Sequence, residues 1–126
     1  MIISRLALID TAGGLPRIAG AVIRGSDIYL SGITGDPRGD VREQTSTALK
    51  RIDALLARAG SDKSHILSAQ VWLADMADFA AHNQAWNEWV DHASPPARAC
   101  VQATLWRPEF RVEIMLTACR RQYIEE

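Results

Sequence analysis

Three residues near the end of the chain have side chains suited to binding and transforming a small acid: Arg98, Cys100 and Glu113. They lie in two runs whose composition otherwise predicts β-strands, at about 98–105 and 111–119, joined by a short turn. Alternate residues of a strand share a face, so Arg98 and Cys100 point the same way. If the two strands pair as a hairpin, Glu113 lines that side too.

Two interpretations of this cluster are open. In the first, Arg98 and Glu113 form a cross-strand ion pair, which contributes only roughly a few tenths of a kcal/mol at a surface, and Cys100 is a small buried apolar residue. In the second, the three residues line a pocket. The planar guanidinium of Arg98 then binds a ligand carboxylate at two points, while Glu113 holds or activates a water and Cys100 lines the wall.

The composition limits the classes of partner. The 126 residues fit one domain, 1–126, with a core large enough to fold unaided. Lys and Arg number 14 against 15 Asp and Glu, and the net charge of -1 gives no general attraction for nucleic acid or anionic lipid. Four arginines near the C-terminal end indicate a solvated surface: Arg107, Arg111, Arg120 and Arg121.

The cysteines and the apolar runs indicate a cytoplasmic protein. Cys100 and Cys119 are too few for a disulfide framework and lack the spacing of a zinc or redox site, so we expect reduced thiols. The N-terminus resembles a first strand more than a signal peptide. No apolar run approaches the roughly 20 residues that span a bilayer, so we expect no membrane segment.

The elements that must position the cluster follow from the hydrophobic period. They are a strand over 5–9, a hairpin over 17–32, a loop over 35–40, a helix over 41–59, a strand over 65–73, a helix over about 78–92, and the two strands named above. In the strand over 65–73 the residues expected to share one face are Leu67, Ala69, Val71 and Leu73. This order predicts an α+β fold, a mixed sheet with two helices on one face.

The second face of the predicted sheet is partly apolar. The residues that indicate this are Tyr29, Trp72, Met115 and Leu116. A large apolar patch is a liability on a small monomer, so we expect the chain to associate with copies of itself.

Four segments, in order, resemble the Rid family, the reactive intermediate deaminases, which are also called YjgF-like proteins. They are SGITG (31–35), DVREQTSTALKRIDALLARAG (40–60), VWLADMADFAAHNQAW (71–86) and PPARACV followed by VEIMLTA near the C-terminus. The resemblance covers nearly the whole chain. It implies a fold like that of chorismate mutase and a homotrimer whose sheets form a central barrel, with ligand clefts between subunits.

The resemblance also implies an activity, the hydrolysis of 2-imino acids and their enamine tautomers to 2-keto acids and ammonia. Arg98 would bind the substrate carboxylate and Glu113 would position the attacking water. Cys100 is assigned to binding rather than to nucleophilic attack. The turn at Ser31 and Gly32 and the helix residue Asn83 would line the cleft.

No metal or organic cofactor is expected for this chemistry. The three histidines, His65, His82 and His92, lack a ligand spacing and are interpreted as surface or partly packed residues. Three positions depart from the family pattern. Ile18 stands where the family has a tyrosine, Ile33 where it has a glutamine, and Trp86 where the helix usually has a tyrosine. The replacement of polar lining by apolar groups favours a carboxylate ligand with a larger apolar part.

Three other functions stay open. The first is that of a non-catalytic protein that senses a keto or imino acid through Arg98. The second is that of a deaminase for a larger enamine of the aminomuconate type. Some members of the family have been described as ribonucleases or chaperones, but the near-neutral charge and the lack of a basic aromatic platform make nucleic acid a poor partner.

Overall fold

A seven-stranded sheet is the central element of the computed structural model, which describes residues 2–122. Its strands are β1 (Ile3–Ile9), β2 (Ile18–Arg24), β3 (Asp27–Leu30), β4 (Ile33–Thr34), β5 (Ile66–Leu73), β6 (Ala97–Gln102) and β7 (Val112–Cys119). The spatial order is β1-β2-β3-β7-β5-β6, and the short β4 also pairs with β7. Only β5 and β6 are parallel, so the sheet is mixed, as the element order predicts.

Helix α1 (Val41–Arg58) begins and ends close to the predicted bounds. Asp40 forms a capping box with Glu43: the Asp40 carboxylate accepts from the Glu43 N–H at 2.9 Å, and the Glu43 carboxylate accepts from the Asp40 N–H at 3.3 Å. Every third or fourth residue then faces the sheet, and those fully buried include Ala48, Leu49, Ile52 and Leu56. This apolar stripe holds α1 against the sheet.

Helix α2 (Phe79–Trp89) is shorter than predicted, because the chain is already extended at Val90. It buries His82, Ala85 and Trp86, which are spaced i, i+3 and i+4 and therefore share one side. Both helices lie on the face of the sheet that carries the core residues of β5 and β7: Ala69, Val71, Leu73, Val112, Ile114 and Leu116. The predicted placement of two helices on one face is confirmed.

The predicted hairpin between the last two strands is wrong. Strand β5 lies between β6 and β7 and pairs with both, in parallel to β6 and antiparallel to β7. The physical reason is that α2 is a crossover connection, which returns the chain parallel to β5 and makes β6 the edge strand. Register partners share a face, so Arg98 lies with Ala69 on the helix face. Glu113 lies with Trp72 on the opposite face.

The face of the sheet away from the helices, here called the outer face, carries Tyr29, Trp72, Val101, Glu113, Met115 and Thr117. Tyr29, Val101 and Met115 are exposed, as expected for an apolar second face. Leu116 is instead buried on the helix face. A register shift between Ile66 and Ser68 also leaves Leu67 exposed, whereas its predicted partners Ala69, Val71 and Leu73 are buried.

The single domain predicted over residues 1–126 includes Met1 and 123–126, which lie outside the described residues. Across 2–122, neither helix has the length and apolar composition required to cross a membrane.

Gly35 follows β4 where the chain passes closest to α1, and it provides a test of this packing. A Cβ at this position would overlap the backbone carbonyl of Gln44 and the hydroxyl of Thr47. Because helix backbone cannot yield as a side chain can, we expect Gly35→Ala to lower the free energy of unfolding by about 2 to 3 kcal/mol. Lys50→Ala, on the exposed side of α1, should change it by less than about 0.5 kcal/mol. Equal denaturation midpoints for the two variants would contradict this packing.

Candidate functional site

Arg98 projects from the edge strand β6 toward α2 and is held there by three neutral side chains. Its Nη2 donates to Asn83 Oδ1 at 2.8 Å, and its Nη1 donates to His82 Nε2 at 3.1 Å. The guanidinium carbon lies 4.9 Å from the centroid of the Trp86 ring, a cation–π contact. A guanidinium has five N–H donors, so three remain for a ligand.

The positive charge of Arg98 has no carboxylate partner within residues 2–122. The side chain is partly buried, and this desolvation lowers the pKa of Arg98 from its ordinary value. Arg98 remains partly exposed to solvent. The cavity of about 340 Å³ that it borders lies on the outer face, among Gln70 and Met115, and not beside the guanidinium. A partly desolvated cation that solvent still reaches and that has no counter-ion within residues 2–122 is suited to binding an anion.

His82 is fully buried behind Arg98, so its interpretation as a surface or partly packed residue is wrong. The Thr45 hydroxyl donates to the Val41 carbonyl at 2.7 Å, and it therefore accepts from His82 Nδ1 at 2.9 Å. The imidazole proton is thus on Nδ1, and Nε2 presents a lone pair to Arg98. Burial, and secondly the Arg98 charge, lowers the pKa of His82 to about 4, so the ring is neutral.

The other two histidines have the surroundings that the sequence predicts. His65 is partly exposed, with its Nδ1 2.8 Å from Asp62 Oδ1, and His92 is exposed. The described part of the chain contains no group of three or more His, Cys, Asp or Glu side chains arranged to hold a metal ion.

Cys100 lies two residues beyond Arg98 on the same face, level with Val71. It is partly buried, and the desolvation raises the pKa of its thiol more than the nearby Arg98 charge lowers it. The thiol is therefore protonated near neutral pH and forms an apolar wall beside the guanidinium.

Glu113 lies on the outer face beside Gly32. A Cβ on Gly32 would overlap the Glu113 carboxylate, so the glycine leaves the space that this carboxylate occupies. Burial raises the pKa of Glu113. Ser31, the other residue of the turn, donates its hydroxyl to the Ala19 carbonyl at 2.6 Å and its N–H to the Gly20 carbonyl at 3.0 Å. The serine therefore fixes the turn that places Gly32 against Glu113.

The predicted site residues form two groups rather than one. The arginine cluster consists of Arg98, Cys100, Asn83 and the unpredicted His82, on the helix face. The glutamate cluster consists of Glu113, Ser31 and Gly32. The two charged residues lie on opposite faces of the sheet and about 10 Å apart along the strand direction. The predicted convergence within one chain and the predicted ion pair are therefore wrong.

The basic residues near the C-terminal end do not form a free cationic patch. Arg107 pairs with Glu109 at 3.0 Å, Arg111 pairs with Asp78 at 2.6 Å, and Arg121 lies 4.0 Å from Asp62. These carboxylates offset the charges of three arginines, which lie at a solvated surface as the sequence indicates. The prediction is wrong for Arg120, which is partly buried, has no carboxylate partner within residues 2–122, and has a buried Nε without a hydrogen-bond partner.

Comparison with known proteins agrees with this architecture. Residues 16–120 match the family model described as "Endoribonuclease L-PSP". The RutC family protein YoaB of Escherichia coli K12 is 43% identical over 102 residues, which cover 81% of this chain and 90% of YoaB. "Putative reactive intermediate deaminase TdcF" of the same organism is 30% identical over 104 residues, 76% of this chain and 81% of TdcF.

Among solved structures, NMB1025 of Neisseria meningitidis, a member of the YjgF protein family, superposes with a TM-score of 0.89. It is 43% identical to this chain, and the match covers 97% of this chain and 98% of NMB1025. The fold and the chain length are therefore shared almost completely.

The neutral state of His82 predicts a pH dependence of stability. The pKa of His82 is about 4 in the folded chain, against 6.5 ordinarily. Between these values the unfolded state binds more protons, so the free energy of unfolding falls as the pH falls, by roughly 3 kcal/mol in total. We expect His82→Gln to lose less stability than the wild type between pH 7 and pH 4. The exposed His92→Gln should behave as the wild type. Equal losses in all three proteins would contradict a buried neutral His82.

Proposed function

Because the chain belongs to the endoribonuclease L-PSP family, the YjgF/RutC proteins, we propose that it hydrolyses 2-imino acids or their enamine tautomers to 2-keto acids and ammonia. The observation that carries this proposal is the Arg98 guanidinium, which has three free N–H donors and no carboxylate partner within the described residues. The similarity to TdcF supports the same reaction class.

Arg98 binds the carboxylate that every 2-imino acid carries. A guanidinium and a carboxylate meet through two parallel N–H···O bonds, which fixes the plane of the acid group as well as its position. The imine carbon is bonded directly to that group, so its position is fixed too. Cys100, with its protonated thiol, forms an apolar wall beside the bound acid.

Glu113 supplies the proton transfers. Its raised pKa makes it a better base than an exposed glutamate, and no hydrogen bond or ion pair with other residues in 2–122 occupies its carboxylate. It accepts a proton from water as the water oxygen bonds to the carbon of the protonated imine, which gives a neutral carbinolamine. It then returns that proton to the amino nitrogen. As the C–N bond breaks, the carboxylate takes the hydroxyl proton, the oxygen becomes the keto group, and ammonia and the 2-keto acid leave.

Two copies of the chain are needed to assemble this site, because one chain holds Arg98 and Glu113 on opposite faces of its sheet. We place the arginine cluster of one copy against the glutamate cluster of the next, in a homotrimer whose outer faces form a central barrel. The exposed Tyr29, Val101 and Met115 support this arrangement, since association would cover them.

The remainder of the proposed cleft favours substrates larger than 2-iminopropanoate. Ile33 lines a cavity of about 390 Å³ beside Ser31 and Gly32, and Ile9 and Leu55 add further apolar surface. An apolar substrate side chain gains free energy from contact with such walls, at about 25 cal/mol per Å² of buried area. An enamine of the aminomuconate type fits the same description.

Arg98 and Glu113 are tested by substitution. An amino-acid oxidase generates 2-imino acids of increasing chain length, semicarbazide traps those not hydrolysed, and the gain in 2-keto acid measures catalysis. We expect Arg98→Ala to lower kcat/KM at least about 30-fold, and Arg98→Lys to lower it less, because the lysine keeps the charge but lacks the fork. Glu113→Gln should lower kcat about 100-fold or more.

Arg38→Ala serves as the control for that assay, since Arg38 is an exposed arginine paired with Asp36 in a loop. It should behave as the wild type. The wild type could fail to catalyse hydrolysis at every chain length and still bind 2-keto acids, with Arg98→Ala abolishing that binding. This result would contradict the enzymatic function and support a sensor of these acids.

The sharing of the site between copies is tested by mixing two inactive variants. In a cyclic assembly of Arg98→Ala and Glu113→Gln chains, some interfaces receive Arg98 from one copy and Glu113 from the other. Unfolding and refolding an equimolar mixture should therefore restore activity at about a quarter of the sites. Refolding each variant alone should restore none, and activity that stays absent in the mixture would show that one chain supplies both residues.

A further inference from the structure

His82 lies behind Arg98, in a position that the proposed proton transfers do not use. We propose that His82 is a positioning residue: held in one tautomer by Thr45, it fixes the orientation in which the Arg98 guanidinium meets the substrate carboxylate. This inference rests on the proposed function, because it takes the acid group of the substrate as the ligand of Arg98.

The direction of every hydrogen bond in this chain of groups is determined by its two ends. An arginine can only donate, and the Val41 carbonyl can only accept. The single arrangement between them has Arg98 donating to His82, His82 donating to Thr45 and Thr45 donating to Val41. The opposite tautomer would set an imidazole N–H against an Arg98 N–H. The hydroxyl of Thr45 therefore determines that His82 Nε2 carries the lone pair that accepts the Arg98 hydrogen bond.

His82 supplies a contact that the other neighbours of Arg98 do not. The Trp86 ring, 4.9 Å from the guanidinium carbon, limits how far the guanidinium can move but forms no directional hydrogen bond with it. The Asn83 hydrogen bond, at 2.8 Å from Nη2, is one directional contact, and the His82 hydrogen bond, at 3.1 Å from Nη1, is the second. Together they determine the orientation of the guanidinium, which one of them alone would leave less constrained. Two-point binding of a carboxylate depends on that orientation.

The position of His82 requires a neutral hydrogen-bond acceptor. A carboxylate in place of His82 would also hold the guanidinium, but it would neutralise the positive charge of Arg98 and compete with the substrate carboxylate. A protonated imidazole would offer no lone pair and would repel Arg98. The neutral ring anchors Arg98 and leaves its full charge for the ligand, as the Asn83 amide does.

Thr45 provides the test, because it is fully buried and forms hydrogen bonds with Val41 and His82 but none with Arg98. Thr45→Val keeps the shape and removes the hydroxyl, whereas Thr45→Ser keeps the hydroxyl. We expect Thr45→Val to raise KM, and the Kd for 2-oxobutanoate, about tenfold with a smaller change in kcat. Thr45→Ser should restore most of that affinity. Long-range ¹H–¹⁵N spectra should show the His82 proton on Nδ1 in the wild type and partly on Nε2 in Thr45→Val.

Two results would overturn the inference: equal affinities of Thr45→Val and Thr45→Ser for 2-oxobutanoate, or a wild-type imidazole proton on Nε2. A wild type that neither turns over imino acids nor binds 2-oxobutanoate would overturn the proposed function. In that case, the NMR signals of the Arg98 guanidinium N–H groups decide whether His82 positions Arg98. Signals resolved in the wild type and Thr45→Ser but averaged in Thr45→Val support it, and identical signals overturn it.

If Thr45→Val does not fold, His82→Gln and His82→Met replace it. The glutamine amide can accept from Arg98 and donate to Thr45, whereas the methionine thioether has no N–H to donate and is only a weak acceptor. Retention of 2-oxobutanoate affinity in His82→Gln and its loss in His82→Met support the inference. Equal affinity in both variants overturns it.

Discussion

The partly buried positive charge of Arg98 is the constraint on which the proposed site depends. Desolvating a cation is unfavourable, and proteins commonly offset that cost with a carboxylate. This chain offsets it with an amide, a neutral imidazole and an indole ring, none of which removes the charge. In the proposed function, the substrate carboxylate offsets the remaining cost of desolvation when it binds.

The order of the strands connects this local feature to the proposed assembly. Because α2 crosses over to make β6 an edge strand parallel to β5, Arg98 lies at the rim of the sheet on the helix face. Glu113, on β7, faces the other way. Each chain thus carries two partly desolvated groups of opposite charge that its own fold keeps apart. A neighbouring copy is the simplest source of a complement for both.

The sequence predicts well those features that depend on local order. The 3.6-residue period locates α1, and the Gly-Ser turn locates the β2–β3 hairpin. Pairing between β6 and β7 was predicted wrongly because adjacency in the chain usually means adjacency in the sheet, and the insertion of β5 is a long-range event. The burial of His82 did have a local signal, its i, i+3, i+4 spacing with Ala85 and Trp86.

The two halves of the proposed cleft discriminate between ligands in different ways. The arginine cluster is polar and partly buried, so a ligand without an acid group leaves a desolvated cation unpaired, and this free-energy penalty strongly disfavours such ligands. The walls that Ile33 and Leu55 contribute are apolar, and each methylene of a ligand changes its binding there by only about 1 kcal/mol. A site of this kind is strict about the carboxylate and permissive about the side chain. That combination suits a hydrolase whose substrates share one reactive group and differ in the rest of the molecule.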